Sequence, residues 1–233
     1  MNEGEWSTKK LIRMLVLSSA FQMDSKASSE MDAKDESNDL LHKMRVRRLE
    51  GESIRDSILK VSGALDTKPF GPSEKIHLAS FMTGRGRPGK SGSLDGGRRR
   101  SIYVEVRRNF LSPFLTAFDT PIPFSTFGRR AQSNVPAQSL ILMNDPFVLE
   151  QAKSWAEHLM TLNVSVEAKL THMYESAFGR MPTNGERESA RQFLQDQQSA
   201  HAQIEADSEK AQISAWADLC HILFNVKEFI YIH

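Results

Sequence analysis

The stretch from Pro69 to Pro136 constrains this chain most, because it carries too much glycine and proline for a long helix or a regular sheet. Gly84, Gly86, Gly89, Gly92, Gly96 and Gly97 fall within fourteen residues, the signature of a loop or linker. Pro113, Pro121, Pro123 and Pro136 follow, each with a locked φ and no backbone N–H, so only short helical turns fit there. Regular structure must come from the two ends. At 233 residues, 39% of them hydrophobic, the chain can bury one large core or two small ones. The expected fold is mainly α: an irregular multi-helix domain with a long Gly/Pro-rich central loop and at most one short strand or hairpin. Residues 1–66 read as an N-terminal helical part, truncated upstream, and 67–100 as a Gly/Pro/Arg-rich loop or linker. Residues 101–233 read as a C-terminal helical part that packs with 1–66 as one domain.

Periodicity places the elements. Leu11, Met14, Leu15 and Leu17 recur at helical spacing over Ser7 to Ala20, with Ser7 able to cap the first turn. Residues 24–39 are polar and aperiodic and read as a loop, because they cannot offset their ordering entropy. Ile54, Ile58, Val61 and Leu65 predict a second helix over Glu50 to Leu65. Ile102, Val104 and Val106 alternate with Tyr103, Glu105 and Arg107, which makes 101–108 the best strand candidate. In the last hundred residues Asp145-Pro146 opens a helix to about Leu162, and Gly179 closes one over Val164 to Phe178. Thr183 and Glu186 form a capping box, and a final helix from near Ser208 carries Ile213, Trp216, Ala217, Cys220, Leu223 and Phe224 on its apolar stripe.

Several function classes find little support. Lysine plus arginine number 30 against 29 acidic residues, so net charge gives no global pull toward nucleic acid or anionic membrane. The start Met1-Asn2-Glu3-Gly4-Glu5-Trp6 lacks the basic and apolar regions of an export signal. No apolar run approaches the ~20 residues of a membrane span. Cys220 is the single cysteine, so neither an internal disulfide nor covalent haem attachment is possible, and no cofactor is expected. The histidines, at 42, 77, 158, 172, 201, 221 and 233, show no zinc-ligand spacing. No Gly-x-Ser-x-Gly elbow is present, and Asp145, the carboxylate that could pair with Asp119, is already spent on capping.

Two motifs in the loop are formally complete. Residues 84–91, Gly-Arg-Gly-Arg-Pro-Gly-Lys-Ser, satisfy the P-loop pattern, but that chemistry needs a strand before and a helix directly after, whereas Gly92 to Gly97 cannot start one. Arg85-Gly86-Arg87-Pro88 matches the core of a minor-groove hook. With Lys90, Arg98, Arg99, Arg100, Arg107 and Arg108, the segment 85–108 carries eight basic residues against Asp95 and Glu105. The plain reading is a solvated basic loop, and DNA binding stays open as a minority alternative.

Blocks spread along the chain resemble one family. They are Arg99-Arg100-Ser101-Ile102-Tyr103, Phe118-Asp119, Arg129-Arg130, Ser133-Asn134-Val135-Pro136-Ala137-Gln138, and Leu142-Met143-Asn144-Asp145-Pro146-Phe147-Val148. Arg47-Arg48-Leu49-Glu50, Ile54-Arg55-Asp56, Phe178-Gly179-Arg180 and Glu228-Phe229 add to them. Together they resemble the planctomycete-specific C-terminal domain of unknown function. That resemblance implies upstream partners, including a planctomycete-type cytochrome c module, in a large exported cell-envelope protein; the localisation of this chain itself stays open.

The combined reading is a non-catalytic binding or scaffolding module, with an enzyme acting on an envelope polysaccharide as the alternative. Candidate ligand residues are Arg100, Asp119, Arg129, Arg130, Asn134, Gln138 and Asn144, polar groups dense in an apolar, proline-rich stretch. Such groups must be hydrogen-bonded or form a site, and satisfying loop carbonyls is the commoner role. Arg85, Arg87, Lys90, Arg98 and Arg99 form the basic loop, and a polysaccharide is one ligand class that stays open.

Overall fold

Capping side chains mark most helix starts in the computed structural model, which describes residues 6–232. Met1–Glu5, on which much of the export-signal reading falls, and His233 lie outside the described residues. The chain divides into two compact units, Met1–Arg48 with Tyr231–His233, and Leu49–Ile230.

In the smaller unit, α1 (Thr8–Val16) starts where Ser7 Oγ accepts from the Lys10 amide at 3.4 Å. It stops at Val16 rather than Ala20, where Ser18 Oγ donates to the Leu15 carbonyl at 2.7 Å, an alternative to the next helical turn. Leu11, Ile12, Met14, Leu15 and Leu17 are each more than half exposed. Within the polar stretch read as a loop, α2 (Ser29–Lys34) forms without an apolar face. Ser28 caps it, Glu30 pairs with Lys34, and the enclosed His42 ring sits between Asp32 at 3.0 Å and Asp35 at 3.1 Å. This polar clasp supplies the order that periodicity could not signal. The two-residue strand β1 (Arg47–Arg48) pairs antiparallel with β2 (Tyr231–Ile232).

The larger unit begins with α3 (Gly51–Val61), followed by the short helices α4 (Pro113–Ala117) and α5 (Pro136–Asn144), each opened by proline at its first turn. Then come α6 (Pro146–Thr161), α7 (Val166–Phe178), α8 (Asn184–Ala202), α9 (Ser208–Asn225) and α10 (Lys227–Ile230). Asp145, Ser165 and Asp207 cap as their chemistry predicts, Thr183 and Glu186 complete the capping box, and Gly179 sits at φ 69°. The mainly α class is therefore the fold. Segment 101–108 is not a strand: Ser101–Tyr103 is a single 3-10 turn, and only isolated bridges flank it. Its apparent alternation does not face a core, since Ile102 and Val106 are exposed.

The core is the seam of α6 along α9. Buried Ala152, Ala156, Ala211 and Ala215 leave room for close approach, and Trp155 stacks on Phe224 at 5.2 Å between ring centroids. Leu159, Leu170, Met173 and Cys220 are fully buried around them. Burial pushes the Cys220 thiol well up, so it packs as an inert hydrophobe. At the end of α3, Ser62 Oγ donates to Gln151 of α6 at 2.8 Å.

Arg180 ties the helices after the turn. Its guanidinium forks onto Glu186 of α8 at 2.7 and 2.9 Å and onto Glu228 of α10 at 2.6 and 2.8 Å. The Arg180 hydrogen bonds hold the Glu186 carboxyl at about 2, below its ordinary 4.5, with the Thr183 amide helping and partial burial opposing. A depressed carboxylate stabilises the fold fully above 4.5 and loses that contribution as pH falls from 4.5 toward 2. With discounting for its partial exposure, Glu186→Gln should cost about 1–2 kcal/mol at pH 7 and almost nothing near pH 2. Urea unfolding midpoints at pH 7, 4 and 2.5 check this.

Candidate functional site

Two buried arginines fold the irregular stretch after α3. Arg99 donates to the carbonyls of Pro72 at 3.0 Å, Lys68 at 3.2 Å and Phe70 at 2.5 Å, and its guanidinium lies 3.9 Å over the Tyr103 ring. Tyr103 Oη in turn accepts from the Phe70 amide at 2.9 Å. Arg55, on α3, donates to the carbonyls of Arg99 at 3.0 Å and Asp95 at 2.5 Å and to Ser101 Oγ at 3.0 Å. Burial lowers its affinity for the proton, opposed by Asp56 and Asp95, yet a guanidinium keeps its charge. The next residue, Asp56, accepts from Ser101 N and Oγ, both at 2.7 Å. Consecutive residues of α3 thus clamp both sides of 95–101. Gly96 (φ 57°) lies so close that a Cβ there would stand 2.5 Å from an Arg55 nitrogen.

The Gly-rich loop is closed at a neck. The Gly92 amide donates to Ile76 O at 2.9 Å, Leu78 N donates to Ser91 Oγ at 2.9 Å, and the His77 ring lies 3.3 Å from Gly92 O. A side chain at Gly92 would meet Lys75 O at 1.8 Å, so only glycine fits. Ile76 and Leu78 anchor the neck through a cluster with Phe110, against which Met82 packs. Ser91 is spent on this neck and no helix opens directly after it, so the P-loop pattern at 84–91 lacks the helix N-terminus that chemistry needs. Beyond the neck Arg85, Arg87 and Lys90 are exposed.

Between the neck, α4, α5 and the start of α6 lies an open cleft of about 670 Å³. Ile76, Leu94, Val104, Phe114, Ile141 and Phe147 give it apolar walls, and Arg55 contributes to its floor with its guanidinium 5.5 Å from the Phe147 ring centroid. Lys75, His77, Asn144 and Asp145 bring polar groups to it. Burial raises the Asp145 carboxyl above its usual range, against the cap bond from Phe147 N at 2.9 Å and the field of His77.

Most of the proposed ligand residues bond within the unit. Arg130 reaches back to α3, donating to Glu50 at 2.7 Å and to Glu52 at 2.8 and 2.9 Å. Asp119 (φ 61°) accepts from Ser133 N and Oγ, both at 2.8 Å. Buried Gln138 donates to Ala117 O at 3.1 Å and to Ser133 O at 3.2 Å. These three close 117–138 onto itself and onto α3. Arg100 is exposed beside Asp56 at 3.4 Å, and Arg129 and Asn134 are exposed. Asn144 alone of the seven lines the cleft, its Nδ2 donating to Leu140 O at 2.8 Å. Of the basic loop, Arg98 is exposed 3.4 Å from Asp95, and Arg87 Nε donates to Met82 O at 2.7 Å. Arg99 is the buried clamp described above.

The family model described as PSD1, protein of unknown function (DUF1553), matches residues 1–194. The chain belongs to this family. No curated protein and no solved structure matches it. Every residue of the PSD1 cleft lies inside the match, whereas α9, which completes the core, lies past its end. Among the described residues, no group of three or more His, Cys, Asp or Glu side chains could hold a metal ion, and no helix is long and apolar enough to cross a membrane.

The cleft residues that the sequence reading missed are His77, Lys75 and the walls at Leu94 and Val104. Asp145 was legible only as a cap. The available signal was the glycine at 92 facing the Ile76-His77-Leu78 run, a close backbone approach that brings two distant segments together. Arg55→Met should strand the Arg99 carbonyl and strip a bond from Ser101 Oγ and from Asp95 O, which keeps the Arg98 amide at 3.1 Å, lowering stability by about 2–4 kcal/mol, and Arg55→Lys should recover little because an ammonium cannot span the fork. Urea denaturation of both variants, with unchanged slope, measures it.

Proposed function

We propose that this PSD1 chain is a non-catalytic binding or scaffolding module of a multi-domain protein. Its upstream partners are the domains that the planctomycete resemblance implies, a cytochrome c module in the cell envelope among them. One observation carries the binding half of this reading: an open cleft with mainly apolar walls and a few polar groups, in the size range of small-molecule sites. The dense polar middle, by contrast, is engaged in internal bonds at Arg130, Asp119 and Gln138, which supports a structural role there. An enzyme acting on an envelope polysaccharide is the second reading, and it draws on Asp145, a carboxylate with raised proton affinity in a cleft beside His77. Asp145 is the one carboxylate among the lining residues and already caps α6, so a paired-carboxylate mechanism has no second member there.

Thermal unfolding against alkyl and aryl ligands, envelope polysaccharides and A·T-rich duplex separates these readings, since native-state binding raises the midpoint by mass action. Alkyl or aryl ligands should raise it by a few degrees, and Ala137→Trp, at an exposed cleft-lining position of α5, should abolish the shift without lowering the unliganded midpoint. A flat response to the whole panel would remove the ligand-binding half and leave docking to upstream domains. Release of reducing ends from a polysaccharide, lost in Asp145→Asn, would favour the enzyme.

A further inference from the structure

The two ends of the basic arm enter the cleft wall. Lys75, Ile76, His77, Ala79, Ser80 and Phe81 line the cleft on one side of the arm, and Ser93, Leu94 and Gly96 line it on the other. The neck at Gly92 fixes both ends, so the arm is rooted in the wall of the cleft. From Lys75 to Leu94 the chain carries Lys75, Arg85, Arg87 and Lys90 and no aspartate or glutamate. Those three arm cations and Lys75 are exposed. The rest of the cleft explains which way a ligand must lie. Arg55 donates to Arg99 O, Asp95 O and Ser101 Oγ and lies 3.5 Å from Asp56, so the cation at the floor is already paired. Asp145 would repel a second carboxylate placed inside.

We infer that the cleft takes an amphipathic anion, with a hydrocarbon body against Phe114, Ile141 and Phe147 and its acidic head at the mouth against Lys75, Arg85 and Lys90. The inference rests on the cleft being a binding site at all. Apolar burial then supplies the affinity, and the exposed cations supply the choice of head group, an electrostatic contribution that is modest and sensitive to salt.

The test uses the full chain and three ten-carbon probes below their micellar concentrations: decanoate, 1-decanol and decyltrimethylammonium, measured by titration calorimetry at low and high salt. Decanoate should bind about fivefold tighter than decanol, the scale of one or two exposed ion pairs, and tighter still than the cationic probe. The preference for decanoate over decanol should fall to near parity at 0.5 M salt and to less than half its size in Arg85→Gln/Lys90→Gln, where Lys75 remains, with decanol affinity unchanged. Arg87 is left in place in that variant because its Nε bond to Met82 O shapes the arm. Ala137→Trp should weaken all binding, with circular dichroism confirming the fold of both variants. Equal affinities for decanoate and decanol, or a preference that keeps half its size or more in Arg85→Gln/Lys90→Gln, would overturn the head-group assignment while the binding cleft stands. Binding of no probe, or binding indifferent to Ala137→Trp, would instead overturn the cleft itself as the site.

Discussion

The helix-poor middle of this protein depends on arginine-to-carbonyl hydrogen bonds, and first on Arg55. An irregular segment cannot pair its own carbonyls in a ladder, and a buried carbonyl without a donor costs about 1–3 kcal/mol. A guanidinium answers this need with five donors in one plane. Arg55 projects from a helix that is already formed and gathers two carbonyls and a hydroxyl of 95–101, while Arg99, held in that same turn, gathers three carbonyls of 68–72. Arg130 extends the device from carbonyls to carboxylates, donating to the glutamates at the start of α3 and so bringing the proline-rich segment to that helix. One eleven-residue helix therefore organises two long stretches without secondary structure.

This arrangement explains what was legible in the sequence. Helices α6 to α9 were readable because period and punctuation agree: Asp145 and Thr183 start helices, Gly179 ends one, and the stripe from Trp216 to Phe224 fills the core. Segment 101–108 misled because alternation is only half of a strand. Its partner must offer a ladder, and here Ser101 is held by Asp56 and Arg55 in a tight turn while Ile102 and Val106 face out. Helix α2 was invisible for the opposite reason. Its order comes from Asp32, Asp35 and His42, a charge arrangement with no periodic trace.

The candidate site was less legible than the fold. Polar residues in an apolar stretch are either bonded or functional, and the sequence holds no means of telling which. Resemblance-bearing residues sort the same way: Arg55, Asp56, Arg99 and Arg130 carry the wiring of the middle, and Arg180 joins Glu228 across 48 residues. Asn144 and Asp145 reach the cleft only because α5 ends and α6 begins at its edge.

The contrast between claimed and unclaimed charges argues for where function lies. A buried arginine whose donors are spent on carbonyls has been fixed by folding, since its removal strands those acceptors. An exposed cation on the arm carries no such obligation, because its removal strands no buried acceptor. Arg85 and Lys90 are of this second kind, yet the arm that bears them is held by a neck whose glycine tolerates no side chain and whose apolar residues are buried. A loop that served only to connect Leu78 to Ser91 would need neither that neck nor twelve further residues, because the two positions already meet through the Leu78 amide and the Ser91 hydroxyl at 2.9 Å. Closing a longer loop adds little to the entropy cost, so stability does not select against the arm. What holds it in place is built into the wall of the cleft, and that couples the position of the arm to the apolar concave surface from whose wall it leaves.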